Sequence, residues 1–240
     1  MNPTPLHEIW VYLAASPLLG LTLTLLSYQF AYTVYQRSGR HPLANPVLVA
    51  VACLGSLLWL SGTSYETYFA GAQFVHFLLG PATVALAVPL YTHFRQVRRL
   101  LGPVVLGLLA GSSVAIVSAV LIARALGASA ATQASLAPKS VTTPIAMGIA
   151  EKIGGLPSLT AVLVIFTGII GAVIGPWLLQ RFGSKDAASN GFAIGIAAHG
   201  IGTARAFQLD EQSGAFAALA MGLNGLFTAA LLPAIAHWLL

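Results

Sequence analysis

Charge is scarce in this chain. Lysine, arginine, aspartate and glutamate make up 7% of its 240 residues, against about 25% in a soluble domain. So few charges cannot cover a globular surface with water-compatible groups, which argues against a soluble enzyme or a soluble binding module. Eleven basic residues face six acidic ones, but the bases are scattered. They read as topology signals at lipid headgroups, and no nucleic-acid partner is expected. Cysteine is nearly absent. Cys53 stands alone in an apolar run, so no disulfide can close within the chain and no thiol cluster can hold a metal; it reads as a small buried hydrophobe. Metal-ligand spacing, a nucleophile elbow and a phosphate loop are all missing. Neither catalysis nor a cofactor is expected. The first residues, MNPTPLHE, lack the basic start of a signal peptide, so the first apolar segment is expected to be retained as a membrane span.

What the chain has is apolar length: 57% hydrophobic residues and a mean hydropathy of +0.84. The expected fold is an all-α polytopic membrane protein, one transmembrane domain over 1–240, with two N-terminal spans in 9–62 and a repeat-containing transport core in 66–240. About 20 residues suffice to cross a bilayer. Apolar segments run over 9–35, where Pro17 is placed to kink the helix, and over 47–60, 68–94, 102–123, 128–152, 156–179, 192–209 and 216–239. Three of them are interrupted: 68–94 near residues 80–83, 128–152 at 137–144, and 192–209 at 199–203. The count is about seven to eight segments, depending on whether a broken one crosses or re-enters. Arg37 and Arg40, and the cluster Arg95, Arg98 and Arg99, place two loops in the cytoplasm and the N-terminus outside. Arg124, Arg181 and Lys185 would lie outside in an eight-span arrangement, against the same rule.

The stretch 137–144, APKSVTTP, organises the rest. Pro138 and Pro144 stop a helix from running through, and the residue before each proline is expected to leave the helical region. Lys139, Ser140, Thr142 and Thr143 are polar in a chain that is almost all membrane. Unwound backbone is tolerated at membrane depth only where protein buries it or it lines a wet cavity. A half-helix starting near Thr142 points its N–H groups into the break, an end that suits a carboxylate, with Lys139 adding a full charge. The stretch therefore reads as a binding site for a small organic anion, formed by Pro138, Lys139, Ser140, Val141, Thr142, Thr143 and Pro144. In the alternative, the hydroxyls cap the half-helix and Lys139 snorkels to the headgroups. LGPATVALA (79–87) aligns with LAPKSVTTP (136–144) without a gap, placing Pro81 on Pro138 and Thr83 on Ser140. An internal repeat of broken helix plus intact span is expected, as in many carriers.

A second cluster is HGIGTARA, 199–206. Gly200 and Gly202 permit a break or a close approach. His199 titrates near neutral pH, Thr203 is a hydroxyl donor, and Arg205 suits a bidentate carboxylate pair; alternatively Arg205 pairs with Asp210 or Glu211 at the membrane edge. Asn224, in an apolar span, either contacts substrate or joins helices. His76 reads as a packed histidine, and Glu151-Lys152 as a helix end.

At PKSVTTPIA and HGIGTARA the chain resembles the LrgB/CidB family of bacterial inner-membrane proteins, and the likeness runs from about residue 10 to the C-terminus. That family is described as holin/antiholin-like, controlling murein hydrolase activity and autolysis. Its members usually work beside a small LrgA/CidA-type membrane partner. Relatives include pyruvate uptake systems and a plastid glycolate/glycerate translocator. The resemblance implies a multi-pass inner-membrane protein that carries small 2-oxo or 2-hydroxy monocarboxylates; a secondary carrier working by alternating access, and a homo-oligomer, are expected. The rival is a holin-like regulator of cell-wall hydrolases, and scaffolding of a partner is a weaker third reading. Paired internal breaks serve a carrier, whereas a pore formed by oligomerisation gains nothing from them.

Overall fold

The computed structural model describes residues 17–39, 41, 44–78, 81, 84–85, 87–182 and 185–239, and all regular structure among them is helical. Two compact units divide the chain, 1–85 and 86–240.

The first unit holds α1 (Pro17–Arg37), α2 (Pro46–Ser61) and α3 (Tyr65–Phe77). Pro17 is the first described residue of α1, and the chain before it, where the expected kink would join, lies outside the described residues. Asn45 starts α2: its side-chain oxygen accepts from the amides of Val47 at 2.9 Å and Leu48 at 3.3 Å. Gly62 ends that helix at φ 65°, the left-handed position a C-terminal cap needs. Between α1 and α3, the Thr24 and Tyr68 hydroxyls are 2.7 Å apart.

The second unit runs α4 (Ala87–Thr92), α5 (Phe94–Arg99), α6 (Leu101–Ala125), α7 (Ala130–Leu136), α8 (Thr143–Lys152), α9 (Pro157–Arg181), α10 (Ala187–Leu209) and α11 (Glu211–Leu239). Helices α6, α9 and α11 are long and apolar enough to cross a membrane, with mean hydropathies of 2.4, 2.3 and 1.8. Their outward faces carry Leu106, Ile122, Phe166, Trp177 and Leu226, all more than half exposed. The interior is built from small residues, including Ala134, Ala150, Ala198, Ala206, Ala217 and Ala220. Large side chains outside and small ones inside is the arrangement for packing in lipid, where helices gain by close approach rather than by expelling water. Gly191 and Gly195 of α10 lie directly on the backbone of α11 at Ser213 and Ala217. The chain is a helical membrane protein.

Helix α10 starts five residues before the apolar segment at 192, because Asp186 caps it: its carboxylate accepts from the Ser189 amide at 2.7 Å. The interruption expected in 68–94 falls, Pro81 apart, among residues outside the described set. So does Thr83. The N-terminal part of the segment 9–35 and Arg40 lie there too.

Candidate functional site

The stretch 137–144 separates α7 from α8. Helix α7 is held at both ends. Ser129 caps its start, accepting from the Thr132 amide. Near its end Ser135 accepts from the Leu156 amide at 2.8 Å, and its carbonyl accepts from Thr160 Oγ1 at 3.1 Å, fixing α7 to the start of α9. The expectation that the residue before each proline leaves the helical region fails at Ala137, which keeps φ −51° and ψ −46°. The steric conflict with the proline ring disfavours that region without forbidding it, and the chain leaves the helix one residue later, through turns closed by Lys139 N–H to Leu136 O and Val141 N–H to Pro138 O. Thr142 then takes the extended conformation and stands at the N-cap of α8, with Pro144 in the first turn. Its hydroxyl makes no capping bond, contrary to the alternative in which the hydroxyls cap the half-helix. Pro138, Val141 and Ser140 are buried, while Lys139, Thr142 and Thr143 are half-buried and Pro144 is exposed. The Lys139 ammonium donates to Ser140 Oγ at 3.2 Å. Among the described residues this is the one hydrogen bond its three donors make.

The second break is a single residue. His199 sits inside α10 at φ 41° and ψ −133° and is the one described non-glycine residue with positive φ. An L side chain there costs of order 1–3 kcal/mol, a strain that persists only when surroundings impose it. Here they do. The ring is buried and its Nε2 lies 2.9 Å from the Val164 carbonyl of α9; a carbonyl only accepts, so this nitrogen carries the proton. Gly168, one turn beyond Val164, makes the approach possible: a Cβ there would stand 2.6 Å from His199 Cε1. Neither Gly200 nor Gly202 supplies the unusual backbone angle. Gly202 is needed for space, since a Cβ would meet Ala198 Cβ at 2.5 Å and the Ile194 carbonyl at 3.0 Å across the kink; at Gly200 a Cβ would make only an ordinary contact, with Met221 Sδ at 3.8 Å. Thr203 donates to the His199 carbonyl at 2.8 Å.

Asn224 on α11 joins the two breaks. Its amide nitrogen donates to the Ser140 carbonyl and to the Ile196 carbonyl, each at 3.1 Å. Its oxygen accepts from Ser112 Oγ of α6 at 2.6 Å and from Thr228 Oγ1 at 3.2 Å. Two donors and two acceptor positions are all an amide has, and two carbonyl partners fix which end is nitrogen. Asn224, 1% exposed, is therefore fully spent on protein groups, so it joins helices and keeps no group for a substrate. The physical reason for its place is the kink at His199. A helix that turns aside disturbs the hydrogen bonds of its preceding turn, and Ile196 stands in that turn.

The structure thus brings 138–143 and 199–203 together around Asn224. Arg205 lies further along α10, where its guanidinium donates to Gln208 at 3.2 Å. No metal-binding group of histidine, cysteine or acidic residues occurs among the described residues. Ser112, Thr228 and Gly168 escape a reading of the sequence. The signal for the first two was present: a hydroxyl inside an apolar span needs a partner, and Asn224 and Thr228 stand one helical turn apart.

A helical membrane protein with two backbone breaks tied by a buried amide is the class this geometry defines. The family is shown by comparison. The LrgB-like family model matches residues 24–238, and the chain belongs to that family. It is 41% identical to the uncharacterized protein YwbG of Bacillus subtilis (strain 168), over 90% of this chain and 96% of that one. It is 30% identical to the antiholin-like protein LrgB of Bacillus mycoides (strain KBAB4), over 91% and 95%, and 29% identical to the protein of that name in Bacillus cereus (strain B4264), over the same shares. No solved structure matches it.

Proposed function

We propose that this chain is an antiholin-like regulator in the bacterial inner membrane, restraining murein hydrolase activity and autolysis. The observation that carries the reading is the name of its relatives: a protein called antiholin-like is 30% identical over 91% of the chain. The sequence by itself favours a carrier; the relatives favour the regulator. In a strain lacking the gene, autolysis after a standard detergent challenge is expected to accelerate, and the chain supplied in trans restores it. An unchanged lysis rate counts against the regulator.

A second reading, a carrier of small monocarboxylates, is favoured by one feature of the site. Lys139 is half-buried at an unwound stretch, beside a helix start whose N-cap hydroxyl makes no capping bond. A charge inside a membrane segment is functional by default, because its desolvation must be offset. On this reading the chain has about seven to eight segments, three of them discontinuous, with an internal repeat. It cycles by alternating access, as a homo-oligomer or beside an LrgA/CidA-type partner. Lys139, Ser140, Thr142 and Thr143 hold the carboxylate, with Arg205 a further candidate. Uptake of labelled pyruvate, glycolate and glycerate into proteoliposomes tests it. Lys139→Ala abolishes or strongly weakens uptake in a protein that still inserts. Thr142→Val weakens affinity roughly tenfold to a hundredfold, the worth of a hydrogen bond to a charged group. Wild-type uptake by Lys139→Ala moves the anion site elsewhere.

A further inference from the structure

A cavity in the second unit runs between α6 and α10 and reaches, at one end, the turn before the His199 break. It has a volume of about 810 Å³, within the range of about 300–1,000 Å³ typical of small-molecule sites. Its composition is graded. One end is polar: Gln96 and Arg99 at the end of α5, and Asp186 and Ser189 at the start of α10. The body is apolar, lined along α6 from Leu100 to Ala115 and along α10 from Ala188 to Ala197. Fifteen helical residues span roughly 22 Å, about half of a bilayer roughly 40–45 Å thick with its headgroup regions. The cavity therefore has the length of one leaflet.

The polar end has the character of a membrane interface. Arg95, Arg98 and Arg99 are exposed on α5, and Tyr91 and Phe94 beside them are 81% and 54% exposed. Exposed aromatics next to arginines mark the headgroup level. The polar end also presents both signs of charge. Arg99 offers a cation suited to a phosphate. The Asp186 carboxylate accepts from the Ser189 hydroxyl and from its amide, the latter at 2.7 Å, and its two oxygens have acceptor positions for further donors. Those contacts hold its carboxyl below the usual range, so it is an anion at neutral pH. The packing of α6 argues against a second helix as the occupant. Gly107 and Gly111, which in many membrane helices receive a partner helix, are already used within the fold. A Cβ at either would stand 3.1 Å from Phe192 or 3.2 Å from Ile196.

We propose that this cavity is a binding site for one phospholipid with a primary-amine head, the phosphate on Arg99 and Gln96, the ammonium on Asp186, and an acyl chain along the α6–α10 groove. The tail then ends beside Ile196, whose carbonyl is held by Asn224, so an occupied groove supports the turn before the His199 break.

Native mass spectrometry of the purified full chain tests this, with phosphatidylethanolamine and phosphatidylglycerol added in turn. The wild type is expected to retain phosphatidylethanolamine in preference to phosphatidylglycerol. Arg99→Gln weakens both lipids. Asp186→Asn, which preserves the helix cap, removes the preference by lowering phosphatidylethanolamine binding roughly tenfold, the worth of one charge-assisted hydrogen bond. Ala193→Trp, filling the groove from its exposed side, abolishes retention of either. Equal retention of the two lipids, a preference that survives Asp186→Asn, or binding indifferent to Ala193→Trp overturns the proposal. So does a groove that takes up no phospholipid and instead loses a co-purifying membrane protein on Ala193→Trp.

Discussion

At the scale of the residue, Asn224 and His199 hold opposite kinds of free energy. Asn224 satisfies four partners, three from other parts of the chain and one on its own helix, so its removal leaves polar groups stranded in the interior. Asn224→Leu keeps the branched outline and strands the Ser140 and Ile196 carbonyls, each at about 1–3 kcal/mol. The expected loss is about 2–5 kcal/mol, read as a fall in thermal midpoint in detergent. Ser112→Ala, which removes one donor, is expected to cost about 1 kcal/mol. The double variant should fall short of the sum, because both act through the same amide. His199 instead stores strain, held by the Val164 carbonyl and the room at Gly168. Gly168→Ala drives a methyl into the ring and is expected to destabilise by about 1–3 kcal/mol. Placed on a His199→Gly background, which relieves the backbone angle and empties the space, it should cost much less. Equal costs in both backgrounds would show that the ring is not what Gly168 accommodates.

Whole elements depend on how their ends are fixed. Helix α7 has seven residues, too few to be stable alone, and it persists because Ser135 and Thr160 fasten it to α9. Ser135→Ala removes the acceptor of the Leu156 amide, and an expected loss of about 1–3 kcal/mol follows from the stranded donor. Helix α10 is capped by Asp186, whose carboxyl is held low by the hydroxyl and amide of Ser189. A carboxyl with a depressed folded value stabilises above its unfolded value, here near 3.8, and loses that contribution as the pH falls through the folded value. Asp186→Ala is therefore expected to cost about 0.5–1 kcal/mol at neutral pH, toward the low end for caps because the group is exposed. The difference from wild type should vanish in strong acid. A constant difference down to the lowest pH would mean that the carboxylate charge plays no part in the cap.

For the molecule as a whole, large apolar side chains outside and alanine and glycine inside predict that the protein stays with membranes after an alkaline carbonate wash and is released by detergent; release by carbonate alone would contradict it. This much was legible in the sequence. Composition set the membrane class. The long apolar runs set α6, α9 and α11 to within five residues at their ends. The paired prolines set the stop between α7 and α8. These are local properties, decided within one or two turns of chain by backbone sterics and by the cost of charge in lipid. The second break was legible only as a place: the two glycines drew attention to 199–203, yet the left-handed angle falls on the histidine between Ala198 and Gly200. Which residues meet across the fold was not legible. Asn224 is 84 positions from Ser140, 112 from Ser112 and 28 from Ile196, and no pattern along one helix encodes such distances. Tertiary packing decided that Asn224 is a structural joint and that Gly168 serves His199. It also decided that the polar residues of α5 and of the start of α10 line one cavity. The physical reason is that a buried polar group must find its partner wherever packing brings one, and packing is settled by the shapes of all the helices together.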